Sequence, residues 1–167
     1  MPNTSDRTKW LFVLLILTYA FFNSSYATSF LSQPYEGENI IILKDVIDQI
    51  NKVFLNNTTE YFGCLNGYIS GNILFLNSFK LQEVKNSTTI HVTTTACNPL
   101  NYVDIHSHPK GICALSETDK QSSQNILAFF SEKYNKFNFG FSCVQCSVNQ
   151  ISCWNIMNNF SSMNVGF

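Results

Sequence analysis

Charge is scarce in this chain. Lys and Arg together number 10 and Asp and Glu 11 among 167 residues, for a net charge of −1, and no long run of either sign occurs. A nucleic-acid binder needs a basic stripe to neutralise phosphates; none is present, nor are basic and aromatic residues interleaved, so that class of partner is excluded. Internal repeats and low-complexity tracts are missing as well. The length leaves room for one ordinary domain and not for a second core. Cys143-x-x-Cys146 has no second pair at matching spacing, which argues against a zinc knuckle and for a buried or disulfide-bonded pair. What the chain has instead is apolar bulk: 45% apolar residues and 14% aromatics, 15 of them Phe, enough to fill a packed interior and to set disorder aside.

The apolar run at the N-terminus is short for a membrane span, though Asn23 to Ala27 could extend it. Arg7 and Lys9 precede an apolar run from Trp10 to Phe22, which as a helix rises only about 20 Å against a hydrocarbon core of about 30 Å. That layout is a secretory signal over residues 1–27, with small residues Ser25 and Ala27 placed for cleavage after Ala27; an uncleaved signal anchor is the alternative. No basic residue follows the run until Lys44, so the positive-inside rule puts the remainder outside the cytoplasm, membrane-anchored or secreted. Cys64, Cys97, Cys113, Cys143, Cys146 and Cys153 all lie beyond this segment and fit an oxidising compartment. Sequons at Asn56, Asn57, Asn86 and Asn159 suit export but carry little weight in a chain so rich in Asn, Ser and Thr.

Residues 28–38 read as a polar linker broken by Pro34 and Gly37. The domain is expected over 39–157, with 158–167 as a C-terminal tail. "NIIIL" is a β-branched strand, and Val46, Ile47, Ile50, Val53 and Phe54 recur at helical spacing behind it. "TEYFGCLNGYI", "NILFLNSFKLQEV", "STTIHVTT" and "YVDIHSH" read as consecutive strands between turn residues. Ser116 opens a second helix, with Ile126, Leu127, Phe129 and Phe130 in its second half. Two last strands form a hairpin whose turn near Val148 would set Cys143 against Cys153. The order describes one mixed α/β or α+β domain.

Within it, "DIHSHPKGICALSETD" carries the chemistry. Side chains alternate along a strand, so His106 and His108 project from one face about 7 Å apart and can grip one ion. Asp119, on the first turn of the helix that Ser116 opens, can supply a third ligand. Two imidazoles, one carboxylate and an open fourth position make a catalytic rather than a structural zinc arrangement. Each piece also has a plain reading: Ser-x-x-Asp is a capping box, His-x-His a surface pair, and His91 a solvated histidine.

Together the pieces resemble the signature of the JAMM, or MPN-plus, metallopeptidases: His, Ser or Thr, His, seven residues, Ser, two residues, Asp. His106, Ser107, His108, Ser116 and Asp119 match each fixed position. The family's upstream Glu-x-x-Gly-x-Leu-x-Gly context is matched by Glu60, Gly63, Leu65 and Gly67, and the loop ending Cys113-Ala-Leu-Ser116 is similar to that of family deubiquitinases. The resemblance covers residues 39–157. It implies a mixed β-sheet flanked by helices, cytidine-deaminase-like; one Zn²⁺ held by His106, His108 and Asp119 with water as fourth ligand; Glu60 as general base and then general acid; and Ser116 as a stabiliser of the developing oxyanion. The implied reaction is hydrolysis of a peptide or isopeptide bond in a protein or peptide substrate.

Ubiquitin-like conjugates are the family's common substrates, but they are chiefly intracellular, and this chain is near the minimal core and carries an export signal. Two other functions fit the class: a metal-free binding or scaffold domain of the MPN type, and a zinc amidohydrolase acting on a non-protein substrate. Cys113, beside the zinc ligands, is also a candidate loop regulator, its thiolate coordinating the fourth site until a disulfide forms.

Overall fold

The computed structural model describes Tyr35 and residues 37–83, 87–88, 91–92, 97–99, 101–134 and 139–167. The expected signal or anchor lies outside them. Among the described residues no helix is long and apolar enough to cross a membrane.

One mixed sheet organises the domain. In chain order its parts are β1 (Asn39–Ile42), α1 (Lys44–Asn56), β2 (Phe62–Ser70), β3 (Ile73–Leu81), the short β4 (Ser87–Thr88) and β5 (His91–Val92), β6 (Asn101–Ser107), α2 (Glu117–Tyr134), β7 (Phe139–Ser147), β8 (Gln150–Asn155), β9 (Ser161–Ser162) and β10 (Asn164–Gly166). The eight-stranded sheet runs β10-β1-β3-β2-β6-β7-β8-β9. β6 therefore sits inside it, antiparallel to β2 and parallel to β7.

Helices cover both faces, and the alternation of side chains sorts the residues between them. Ile40, Ile42, Leu65, Leu74, Leu76, Val103, Ile105, Phe141 and Cys143 meet Val46, Ile47 and Ile50 of α1 in the larger core. On the opposite face Cys64, Tyr102 and Ile156 meet Phe130 of α2, with Ile126 and Leu127 packed alongside. Phe129, expected on the apolar side of α2, is exposed, with Lys133 Nζ 5.7 Å from its ring centre. The face under α2 is where the candidate metal-binding residues lie.

Three stretches differ from the sequence reading. Tyr35, assigned to the linker, is buried against Phe139 and Phe141, and its hydroxyl donates to the carbonyl of Asn39 at 2.5 Å. Residues 158–167, assigned to a tail, carry β9 and β10, and β10 extends the sheet by parallel pairing with β1. Of "STTIHVTT", read as one strand, the described residues are two short pieces, β4 and β5, that pair with each other in a separate two-stranded sheet. That run has only Ile90 and Val92 as apolar anchors among Ser and Thr, too little to hold a strand over a core.

Three disulfides close the domain: Cys64 to Cys97, Cys113 to Cys146, and Cys143 to Cys153. The last joins directly opposed residues of β7 and β8.

Candidate metal centre

β6 presents Asp104 and His106 on the face under α2, and His108 follows in the same alternation at the strand's end. The chain leaves the sheet there: His108 N–H donates to the carbonyl of Gln145 at 2.8 Å and Gly111 N–H to that of His108 at 2.9 Å. Gly111 has φ +79°, a backbone conformation that favours glycine and lets the turn reverse. The loop then reaches Ser116, which caps α2.

The cap is reciprocal. Asp119 N–H donates to Ser116 Oγ at 3.1 Å, while Ser116 N–H and Oγ–H both donate to Asp119 Oδ2, at 2.7 and 2.6 Å. This is a capping box with Asp in the usual Glu position. The same Oδ2 lies 3.5 Å from His106 Nε2 and 3.6 Å from His108 Nε2.

All three donor atoms lie within 4.8 Å of one another. Ligands at about 2.0–2.1 Å around a tetrahedral zinc stand about 3.3–3.4 Å apart, so the two His-to-Asp separations are near the edges of such a shell. His106 Nε2 is buried and has no hydrogen-bond partner among the described residues, a costly state for a polar atom that a metal would relieve. The donor set, two imidazole nitrogens and a carboxylate oxygen, suits Zn²⁺.

The tautomer of His108 follows from chemistry. Its Nδ1 is 2.9 Å from the Ile112 carbonyl, which can only accept, so Nδ1 carries a proton and Nε2 is the nitrogen left to face the centre. Burial alone would push His106 down, but the neighbouring carboxylates of Asp104 and Asp119 outweigh it and raise its pKa to about 9. For Asp119 burial likewise opposes the charge, and His106 with the two Ser116 donors overcomes it, holding the carboxyl well below the usual carboxylate range.

Glu60 stands just before β2. Phe62 pairs with His106, and Ser107 N–H donates to the Tyr61 carbonyl at 3.1 Å. Carrying that register two residues further sets Glu60 opposite His108 on the same face of the sheet, exposed to solvent. Gly63 and Gly67 allow close backbone approach: a Cβ on Gly63 would meet the Phe79 ring and one on Gly67 the Phe75 carbonyl, at the bulge between Asn66 and Gly67.

Cys113 is bonded to Cys146 on β7, so its sulfur is not a thiolate here; the bond ties the loop before Ser116 to the sheet. Beside Ser116 an open cleft of about 510 Å³ is lined by Leu115, Glu117, Lys120, Gln124, Trp154 and Phe160 among others. Phe160 has φ +56°, an unusual conformation for a bulky side chain.

Sequence reasoning missed two groups. Gln145, fully buried, accepts from the Tyr61 hydroxyl at 2.5 Å and donates to Asn51 Oδ1 at 2.8 Å, bracing β7 against α1 behind the centre. Asp104, 3% exposed, lies with Oδ1 3.8 Å from His106 Nδ1. A charged residue two positions before His106 in an apolar strand was the available signal for the second; nothing local marks the first.

No protein-family model matches the chain, and no curated protein matches it. A solved structure of a JAB1/MPN domain protein from Archaeoglobus fulgidus is similar over 77% of this chain and 99% of its own, at 17% identity and a TM-score of 0.45. The fold rests on the strand order and register above: a mixed sheet flanked by helices, with a His-His-Asp group able to hold a metal ion.

Proposed function

We propose that the domain is a zinc-dependent metallopeptidase of the JAMM type that hydrolyses a peptide or isopeptide bond outside the cytoplasm. The observation that carries the reading is the convergence of His106 Nε2, His108 Nε2 and Asp119 Oδ2 from a strand end and a helix cap, with Glu60 just before the adjoining strand β2. Zinc, when bound, polarises a carbonyl and lowers the pKa of water to about 7.

This chain's residues do the rest. Glu60 takes a proton from the attacking water and returns it to the leaving amine. Ser116, whose hydroxyl now holds Asp119, also offers the developing oxyanion a donor when that hydroxyl turns toward substrate. The cleft along Leu115, Trp154 and Phe160 begins one residue from Ser116 and gives the substrate chain a place to lie. Three disulfides support the extracytoplasmic assignment.

Replacing Glu60 by Gln tests the reading in the zinc-loaded full chain, with a fluorogenic peptide or isopeptide substrate. Turnover is expected to fall about 10²–10⁴-fold with zinc content unchanged. Retained turnover would remove Glu60 from the mechanism.

A further inference from the structure

We infer that Asp104 is a positioning residue for the metal centre, an outer carboxylate that accepts from Nδ1–H of His106 and thereby aims Nε2 at the ion. The inference rests on the zinc reading of the centre. Its starting point is a misfit: a carboxylate 3% exposed in the middle of a sheet, where an uncompensated charge is costly.

The compensation in view is partial. Ser142, its registered neighbour on β7 and itself buried, donates Oγ–H to Asp104 Oδ1 at 2.8 Å. The same Oδ1 is 3.8 Å from His106 Nδ1, long for a hydrogen bond and within ion-pair range. Ser142 therefore holds the carboxylate in place, the buried Tyr102 hydroxyl two residues earlier on the same face also interacts with it, and His106 Nδ1 is the ring nitrogen turned toward it.

The two histidines then have matching supports. His108 has Nδ1 on the Ile112 carbonyl and Nε2 toward Asp119; His106 has Nδ1 toward Asp104 and Nε2 toward Asp119. Fixing one ring nitrogen by an outer acceptor sets tautomer and ring angle and raises the basicity of the other. The period of the strand makes this arrangement local: Asp104, His106 and His108 share one face, so Asp-x-His-x-His stacks support, ligand and ligand in order.

Asp104→Asn tests it, because Asn keeps the volume and can still accept from Ser142 while losing the charge. Zinc affinity, measured by competition with a chelator on the full disulfide-bonded chain, is expected to fall about 10–100-fold. Nitrogen-15 spectra of the zinc-loaded wild type should show His106 protonated at Nδ1 and ligated through Nε2. Wild-type zinc affinity in Asp104→Asn, or ligation through Nδ1, would overturn the assignment. If that variant does not fold, Ser142→Ala keeps the carboxylate but frees it, and an unchanged zinc affinity there counts against the role. A wild type that binds no zinc defeats the functional reading instead; the neutral His106 tautomer, on Nδ1 or on Nε2, then decides for or against Asp104.

Discussion

Asp119 Oδ2 has two duties in the folded chain. It accepts both donors of Ser116, which fixes the first turn of α2, and it faces both histidine Nε2 atoms. Ser116→Ala should therefore weaken two properties at once: thermal stability by about 1 kcal/mol through the lost cap, read by calorimetry, and zinc affinity through a looser carboxylate. Loss of one without the other would separate the duties. The raised pKa of His106 has a sign that can be checked as well. A proton on the imidazole competes with zinc, so affinity should rise with pH until about 9 and level off above it. In the metal-free protein the same shift contributes stability that is fully present below the unfolded value of about 6.5 and is lost as pH rises through about 9. The candidate ligands were legible because their spacing is short, His106 and His108 two residues apart along a strand and Ser116 and Asp119 three apart on a helical turn. Asp104 was not, since a carboxylate before a histidine means little until the strand is known to lie inside the sheet.

β6 and the loop after it set the centre, and their neighbours keep them in register. β2 is bulged at Asn66 and Gly67, where a Cβ on Gly67 would fall 1.9 Å from the Phe75 carbonyl oxygen. Gly67→Ala is expected to cost about 1–3 kcal/mol by forcing β2 and β3 apart, measured by denaturant unfolding; a neutral change would mean the hairpin yields freely. The helices and long strands could be read from periodicity because each buries one face over a core. "STTIHVTT" could not, because Ile90 and Val92 are too few apolar residues to mark a buried face. The partner of Cys113 was equally hidden: Cys146 lies 33 residues away, and its neighbourhood exists only once β7 lies beside β6.

Across the molecule, residues near the two ends of the described domain close its edge. β10 pairs with β1, Asn164 N–H donates to the Glu38 carbonyl at 2.8 Å, and Tyr35 packs under the same edge. Deleting residues 163–167 should lower the melting temperature and expose the β1 edge to association, seen by light scattering; an unchanged monomer would show β10 to be dispensable. The mixed class was legible from the order of elements, whereas pairing between chain ends is a long-range matter that periodicity does not encode. At the middle of the sheet a strand end and a helix cap bring His106, His108 and Asp119 together as the proposed zinc site. Metal content of the full chain, purified without added metal, tests it most directly. One zinc per chain in the wild type and none after His106→Ala is the expected result; a wild type without zinc, or full zinc in His106→Ala, would contradict the proposed zinc site.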